Sequence, residues 1–355
     1  TFGFTLLTTE IAIGRKTKQS PLTAYSKLKS KWKPLGIIAC IVPIMILPYY
    51  VTIGGWVLKY LLVYITGNGH AAAQDGYFSG FIGQTAEPII MMLVFTIIVA
   101  FIIFRGVNSG IESSSKIIMP LLIVLVLGVS VYSLTISYTD IDGTTRTGLQ
   151  GLGAYVIPNM KGITVKQFCT VLMDAMGQLF YSLSVAMGIM IAYGSYLSDS
   201  ANIAKDATVI AFADLGVSIL SGIVMFTTMY GVGMTINDMS ASGIATAFII
   251  FPQAIANLTN TGWVNAIFGM IFYLCLASLA VDSAFSIVEG VSTGVADRFK
   301  LNKRKTTMTI CIVAALISLI FISRSGLAWL DIVDNWTNQY DYHRHFRMYS
   351  NWMDI

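Results

Sequence analysis

The sequence has few charged residues and few histidines. Asp, Glu, Lys and Arg together make up 11% of its 355 residues, whereas they make up about 25% of an average soluble domain. Hydrophobic residues make up 55% of the sequence, and they form runs of about 20 residues, which is long enough to cross a bilayer as a helix. The scarcity of charge excludes a soluble globular domain, and the composition predicts an integral membrane protein.

The sequence also lacks the patterns of common catalytic and metal sites. It has no HExxH motif, no Gly-rich phosphate loop between a strand and a helix, and only three histidines, so we do not expect an enzyme. The four cysteines have no metal-ligand spacing, and we interpret them as small core residues. The apolar runs do not alternate strictly with polar residues, which excludes a β-barrel. These absences leave one all-α, polytopic membrane domain.

Basic residues are unevenly distributed between the loops. The hydrophobic pattern predicts segments at 1–14, 35–65, 88–105, 117–138, 166–198, 207–230, 263–290 and 306–323. With alternate threading, the loops on one side carry fifteen Lys and Arg and those on the other side carry three. The positive-inside rule then places loop 15–33 in the cytoplasm of a multi-pass cell-membrane protein in contact with lipid. This topology accounts for the net charge of +4, so no nucleic-acid partner is expected.

Two stretches do not fit the pattern of spans. The apolar stretch 244–256 is interrupted by Pro252 and is too short to cross the membrane, so we expect a re-entrant or capping helix over an outer vestibule. Residues 337–355 are polar and aromatic, and we expect an atypical tail. His343 and His345 lie in this tail, but no acid or cysteine stands at helical spacing from them, so we do not expect a metal site there.

Small and polar residues interrupt the apolar segment 166–198 at its centre. They are Ser182, Ser184, Ala186 and Gly188. Small residues let membrane helices pack closely, which is one interpretation. The other is a broken helix, which lipid tolerates only where protein or water satisfies the freed backbone and which therefore indicates a buried ligand site. The segment by itself leaves both interpretations open.

Acidic residues inside the apolar segments are candidates for function, because an ionised carboxylate at the membrane centre costs about 3 kcal/mol unless it is paired. The candidates are Glu10, Asp174, Asp214, Asp282 and Glu289. The segments offer Lys59 and little else as a base, so bound cations or protons have to balance the carboxylates. Asp174 and Glu289 lie nearer the segment ends, where we expect solvated or capping roles.

Two groups of oxygen atoms suit a small hard cation such as Na⁺. Asp282 and Ser283 are adjacent, with the Leu279 carbonyl one turn earlier, and Ser182 and Asp214 form a second set if their segments touch. Protonated carboxyl groups that hydrogen-bond across helices are the alternative. The two aspartates also fit an intramembrane aspartyl hydrolase, and the helices fit a channel, although buried ion ligands suit stoichiometric binding better than rapid flow.

Six sequence stretches resemble those of the neurotransmitter:sodium symporters, and they occur in family order. They are EIAIGR (10–15), PYYVTIGGW (48–56), GVNSGIESSSKIIMP (106–120), GQLFYSLSVAMG (177–188), AYGSYL (192–197) and VDSAFSIVEG (281–290). The resemblance covers residues 1–336 and implies one transporter domain with the inverted-repeat fold and unwound helices. The domain would be incomplete at both ends, running from the second helix to the start of the tenth. A sodium-independent amino-acid exchanger of the same fold is the nearest alternative.

The resemblance also implies roles for individual residues. Tyr50 would meet the substrate carboxylate, and Tyr181 would close above it. The other substrate-binding positions would be Ile46, Ser182, Ser184, Met187, Ser283 and Ile287. One sodium ion would lie on Leu279, Asp282 and Ser283, and a second on Ser182 and Asp214. Glu10 would brace the unwound sixth helix, and Asp334 would act at the outer gate.

Two departures from the family pattern refine the expected function. Asp214 stands where most animal members have asparagine, and a fixed carboxylate there makes chloride unnecessary. Ala186, Met187 and Gly188 replace a common Gly-x-Gly, and a flexible methionine can repack around large apolar groups. We therefore expect chloride-independent, sodium-coupled symport of a large or aromatic amino acid by alternating access.

Overall fold

The computed structural model describes residues 2–105, 112–139, 143, 145–157, 162–231, 233, 243–322, 325–334 and 336. Most of these residues are helical. The helices are α1 (Phe2–Thr17), α2 (Pro21–Leu28), α3 (Lys33–Ile65), α4 (Gly69–Ala72), α5 (Tyr77–Ile82), α6 (Ala86–Phe104), α7 (Ser113–Leu134), α8 (Gly148–Val156), α9 (Val165–Ser182), α10 (Ile189–Tyr196), α11 (Ile203–Gly231), α12 (Gly243–Ala245), α13 (Phe251–Ala256), α14 (Gly262–Phe299) and α15 (Lys303–Ile322). A further helical stretch covers 326–334.

Six of the described helical stretches are long and apolar enough to cross a membrane. They are Ser30–Ile65, Ala86–Phe104, Ser115–Leu134, Ile203–Gly231, Gly262–Phe299 and Lys303–Ile322. Each falls on a predicted segment, and α1 and the α9–α10 pair account for the other two. The predicted multi-pass helical membrane protein is confirmed. The largest difference in length is in α14, which continues to Phe299 instead of ending near residue 290.

The structure differs from what the sequence predicts at two smaller points. A two-stranded antiparallel hairpin, β1 (Ser137–Thr139) and β2 (Thr145–Thr147), lies in an outer loop and was not predicted. Cys169 is exposed, so the expectation that it is a core residue is wrong, whereas Cys40, Cys275 and Cys311 are buried. The predicted tail at 337–355, with His343 and His345, lies outside the described residues.

Helix α3 lies at the centre of the bundle and packs against α6, α14 and α15. It continues through Pro43 and Pro48, although proline removes a backbone donor and its ring crowds the preceding turn. At the second proline, the Pro48 carbonyl accepts hydrogen bonds from the side chains of Ser318 of α15 at 2.7 Å and of Thr52 at 3.2 Å. Both hydroxyl residues are fully buried, so this part of α3 is tied directly to α15.

The predicted short segment in the outer loop consists of α12, a π-helix (Thr246–Ile250) and α13. Two buried tyrosines hold its π-turn. Tyr60 of α3 donates to the Phe248 carbonyl at 2.7 Å, and Tyr273 of α14 donates to the Ala247 carbonyl at 2.6 Å. The Phe248 ring also stacks on Phe78 with centroids 5.3 Å apart. The segment is therefore packed on α3 and α14.

Helices α1 and α10 approach each other closely through two glycines. A Cβ atom on Gly14 would lie 2.1 Å from the Ile191 carbonyl oxygen, and one on Gly194 would lie 2.5 Å from the Ile11 carbonyl oxygen. Both distances are too short for any side chain. The absence of a Cβ atom at both positions thus places α1 directly beside the start of α10.

The predicted span 166–198 is broken. Helix α9 begins with a capping box, in which Thr164 and Gln167 exchange side-chain and backbone hydrogen bonds. It ends at Ser182, and α10 begins at Ile189. Between them Ser184, Ala186 and Gly188 have φ angles of 52°, 66° and 70°. Residues other than glycine rarely adopt such positive φ angles. The structure therefore has a helix break at the small and polar residues, rather than a continuous closely packed helix.

A buried carboxylate satisfies part of the freed backbone in this break. The Glu10 side chain is 1% exposed, and its Oε1 atom accepts a hydrogen bond from the Ala186 N–H at 2.7 Å. The N–H groups of Ser184 and Val185 donate instead to the last turns of α9, at 3.2 and 3.1 Å. Because Glu10 belongs to α1, the conformation of the break depends on the α1–α10 contact.

We expect Glu10→Ala to lower the stability of the folded protein by about 1–3 kcal/mol, because a buried N–H would lose its acceptor. Glu10→Gln keeps an acceptor oxygen and should lose less. Thermal unfolding of the purified protein in detergent measures the effect. Asp174→Ala, at an exposed acid of α9, is the control, and equal losses for Glu10→Ala and Asp174→Ala would contradict this role for Glu10.

Candidate functional site

A carboxylate and three hydroxyl groups meet where α3, α7 and α14 face one another. Tyr50 of α3 lies beside Ser283 and Asp282 of α14. Ser115 of α7 donates to Asp282 Oδ1 at 3.2 Å. The Leu279 carbonyl lies one turn before this pair on α14. The structure thus places Tyr50 next to the predicted cation ligands, and it adds Ser115, which the sequence analysis did not select.

The second predicted group of oxygen atoms forms between α9 and α11. Ser182, the last residue of α9, donates to Asp214 Oδ1 at 2.5 Å. The sequence alone did not show whether these segments touch, and the structure shows that they do. Ser182 is exposed and Asp214 is half-buried, so a small cation can reach this pair.

Apolar residues from three different elements belong to the buried core of the bundle. Ile46 of α3, Met187 of the break and Ile287 of α14 belong to one buried cluster. Tyr50 and Tyr181 pack against the same cluster and are partly buried. The predicted side-chain pocket residues are therefore all part of the packed interior of the bundle, and Ser184 lies within the break.

Tyr49 connects this region to the predicted outer-gate aspartate. Its hydroxyl donates to Asp334 Oδ1 at 2.9 Å, and its ring meets Phe321 of α15 edge-on at 6.1 Å. Tyr49 also interacts with Tyr181. The sequence analysis assigned a role to Tyr50 but not to Tyr49. The two tyrosines are adjacent in the sequence, and neighbouring residues of a helix point about 100° apart, so each can reach a different partner.

The expected solvated or capping role of Glu289 is wrong. This residue is 1% exposed because α14 extends well beyond it. Its Oε1 atom accepts hydrogen bonds from Tyr196 at 2.8 Å and from Thr293 at 3.3 Å, and it forms an ion pair with Lys303. The Lys303 ammonium group also lies 4.7 Å from the centroid of the Tyr196 ring. This network joins α10, α14 and α15 at the side predicted to be cytoplasmic.

A second ion pair involves the lysine that the sequence analysis found in a span. Lys59 of α3 pairs with Glu87 in the first turn of α6. The partner of Lys59 is therefore an acid that was not among the candidates selected from the sequence. Within the described part of the chain, no ion pair includes Asp214 or Asp282. The carboxylates of the two predicted cation sites thus differ from Glu87 and Glu289, whose charges are balanced by lysines.

Comparisons with known proteins all indicate the same family. The model of the sodium:neurotransmitter symporter family matches residues 78–342. An uncharacterized sodium-dependent transporter of Methanocaldococcus jannaschii is 31% identical over 353 residues, covering 95% of this chain and 68% of the relative. The uncharacterized sodium-dependent transporter YhdH of Bacillus subtilis is 26% identical over 312 residues, covering 86% and 64%. The chain thus spans about two thirds of the length of these relatives.

A solved structure supports the same assignment. The crystal structure of MhsT in complex with L-phenylalanine is similar to this chain with a TM-score of 0.81 and 26% identity, over 96% of this chain and 76% of that protein. The similarity confirms the predicted transporter fold with its broken helix. The chain therefore belongs to the sodium:neurotransmitter symporter family, whose members are membrane transporters and not enzymes.

Proposed function

We propose that this protein takes up a large hydrophobic or aromatic amino acid together with sodium ions, without chloride, by alternating access. The observation that best supports this proposal is the arrangement around the helix break. The break contributes to the same apolar cluster as Ile46 and Ile287, and Tyr50 joins this cluster to Asp282 and Ser283. Broken helices with polar groups at their ends are the usual sites for substrates and ions in transporters of this kind.

The substrate backbone would bind at the polar side of this cluster. The Tyr50 hydroxyl lies beside Ser283, and it would donate to the substrate carboxylate when an amino acid is bound. Tyr181 packs on the same cluster and would cover the substrate from the outer side, where Tyr49 links it to Asp334. A movement of Tyr181 would then be transmitted to the outer gate through Tyr49.

Two sodium ions would balance the carboxylates that have no described ion pair. The first would lie on Asp282, Ser283 and the Leu279 carbonyl. The second would lie on Ser182 and Asp214, which are already 2.5 Å apart, with the substrate carboxylate as a further ligand. All these ligands are oxygen atoms, which hard cations prefer. The two prokaryotic relatives are named as sodium-dependent transporters, which supports the choice of cation.

We expect the protein reconstituted in liposomes to take up labelled tryptophan saturably, and only with an inward sodium gradient. Asp282→Ala should abolish this uptake at every sodium concentration, because the cation loses its charged ligand. Asp174→Ala is the control, since this acid is exposed on α9. Currents that amino acid does not saturate would instead indicate a channel, and uptake without sodium would indicate an exchanger.

Chloride independence depends on Asp214 as a fixed negative charge beside the second sodium site. Ser218 lies one turn further along α11, where the family places a chloride ligand. We expect uptake to be unchanged when gluconate replaces chloride, because Asp214 already balances the sodium charge and repels an added anion. Asp214→Asn should make uptake partly dependent on chloride. A wild-type protein that stops transporting in gluconate would contradict this assignment.

The apolar residues at the proposed site support a large side chain as substrate. Ile46, Met187 and Ile287 are apolar and buried, methionine repacks easily around large groups, and the similar MhsT structure holds L-phenylalanine. We expect unlabelled tryptophan and tyrosine to compete with labelled tryptophan more strongly than leucine, and glycine and proline to compete least. Stronger displacement by glycine or proline would contradict a large apolar pocket.

A further inference from the structure

The first turn of α7 contacts the middle of α14. Ser115 is the third residue of α7, and its hydroxyl donates to Asp282 Oδ1. Asp282 lies seventeen residues before the end of α14 at Phe299, a distance of about 26 Å at 1.5 Å per residue. The start of α7 therefore lies beside the centre of α14, far from the end of α14 at Phe299.

Packing along the two helices determines this contact. Tyr132 near the other end of α7 meets Phe268 near the start of α14, with ring centroids 5.6 Å apart. Between these points Leu122 and Val126 of α7 form a buried cluster with Cys275 of α14. Residues later in α7 thus contact residues earlier in α14, so the two helices are antiparallel. Ser115 is held opposite Asp282 by the whole length of this interface.

Neutral polar groups surround Asp282, and Ser115 is one of them. Tyr50 and Tyr193 also lie near this carboxylate. Like Ser115, both residues are neutral. Within the described part of the chain, the hydrogen bond that reaches Asp282 comes from Ser115. A hydroxyl that donates to one carboxylate oxygen orients the carboxylate plane, and outer partners of this kind strongly affect how well a ligand binds a cation. The N-terminal end of α7 adds a partial positive charge that favours the ionised carboxylate.

We propose that Ser115 is a positioning residue for sodium at Asp282, and that it couples occupancy of this site to the first turn of α7. This inference rests on the proposed sodium-coupled function. Ser115 holds Oδ1 so that the carboxylate faces the Ser283 hydroxyl and the Leu279 carbonyl. When sodium is absent, the same hydrogen bond is the contact that keeps α7 against the unbalanced carboxylate.

The test is the sodium dependence of tryptophan uptake by the reconstituted protein. Ser115→Ala should raise the half-saturating sodium concentration about tenfold or more, while the KM for tryptophan at saturating sodium stays unchanged. Ser115→Thr keeps the hydroxyl and should restore the wild-type sodium curve. Ser115→Cys keeps the volume with a weaker donor, so it should shift the curve in the same direction as alanine even if Ser115→Ala folds poorly. Ser113→Ala is the matched control, because Ser113 is exposed in the same turn.

The outcomes separate this inference from the proposed function. If the wild-type protein transports without sodium, the proposed function and the role of Ser115 are both overturned. If the wild-type protein needs sodium but Ser115→Ala has the wild-type sodium curve, only the role of Ser115 is overturned. The same holds if Ser113→Ala shifts the curve as much as Ser115→Ala, or if Ser115→Ala changes the KM for tryptophan and leaves the sodium dependence alone.

Discussion

A backbone N–H without a partner is costly inside a membrane, and this constraint governs the break between α9 and α10. The chain satisfies it with a carboxylate from another helix. Glu10 accepts from the Ala186 N–H, and α1 can place Glu10 there because Gly14 and Gly194 allow its backbone to approach α10. The unusual φ angles at Ser184 and Ala186 persist because α1 packs against this region. The position of Met187 in the break thus depends on a helix that is remote in sequence.

One turn of α3 connects the break region to three other elements. The Pro48 carbonyl accepts from Ser318 of α15, the Tyr49 hydroxyl donates to Asp334, and Tyr50 lies beside Ser283 of α14. Consecutive helical residues point about 100° apart, so three neighbouring residues reach three different partners. A shift of α3 would therefore change the contacts to Asp334 and to Asp282 together.

Carboxylates in the helix bundle have two different kinds of partner in this protein. Glu289 and Glu87 have lysine partners, and such pairs lock neighbouring helices together at either end of the bundle. Asp282 and Asp214 instead have hydroxyl partners, Ser115 and Ser182. A hydroxyl orients a carboxylate without neutralising it, which leaves these two residues able to bind a mobile cation. The contrast separates structural acids from the candidates for ion coupling.

The sequence by itself determined the class of protein and the positions of the spans, and it supplied the candidate site residues. Hydrophobic runs and the distribution of lysine and arginine report directly on insertion into lipid, so they are local properties of the chain. The motifs around Tyr50, Ser182 and Asp282 likewise indicated the family and the candidate ligands. The length of α14 was not predicted, because the polar residues beyond residue 290 resemble a segment end when burial is unknown.

Only the tertiary structure decided which side chains meet. Small residues at 182–188 fitted both a closely packed helix and a break, and the contact from Glu10 is what distinguishes the two. Glu289 seemed to be a solvated end residue until α10 and α15 supplied Tyr196 and Lys303. Ser115 and Tyr49 had no signal of their own in the pattern of apolar residues. Their roles arise from contacts between helices separated by more than a hundred residues, and such contacts depend on how helices pack rather than on local sequence.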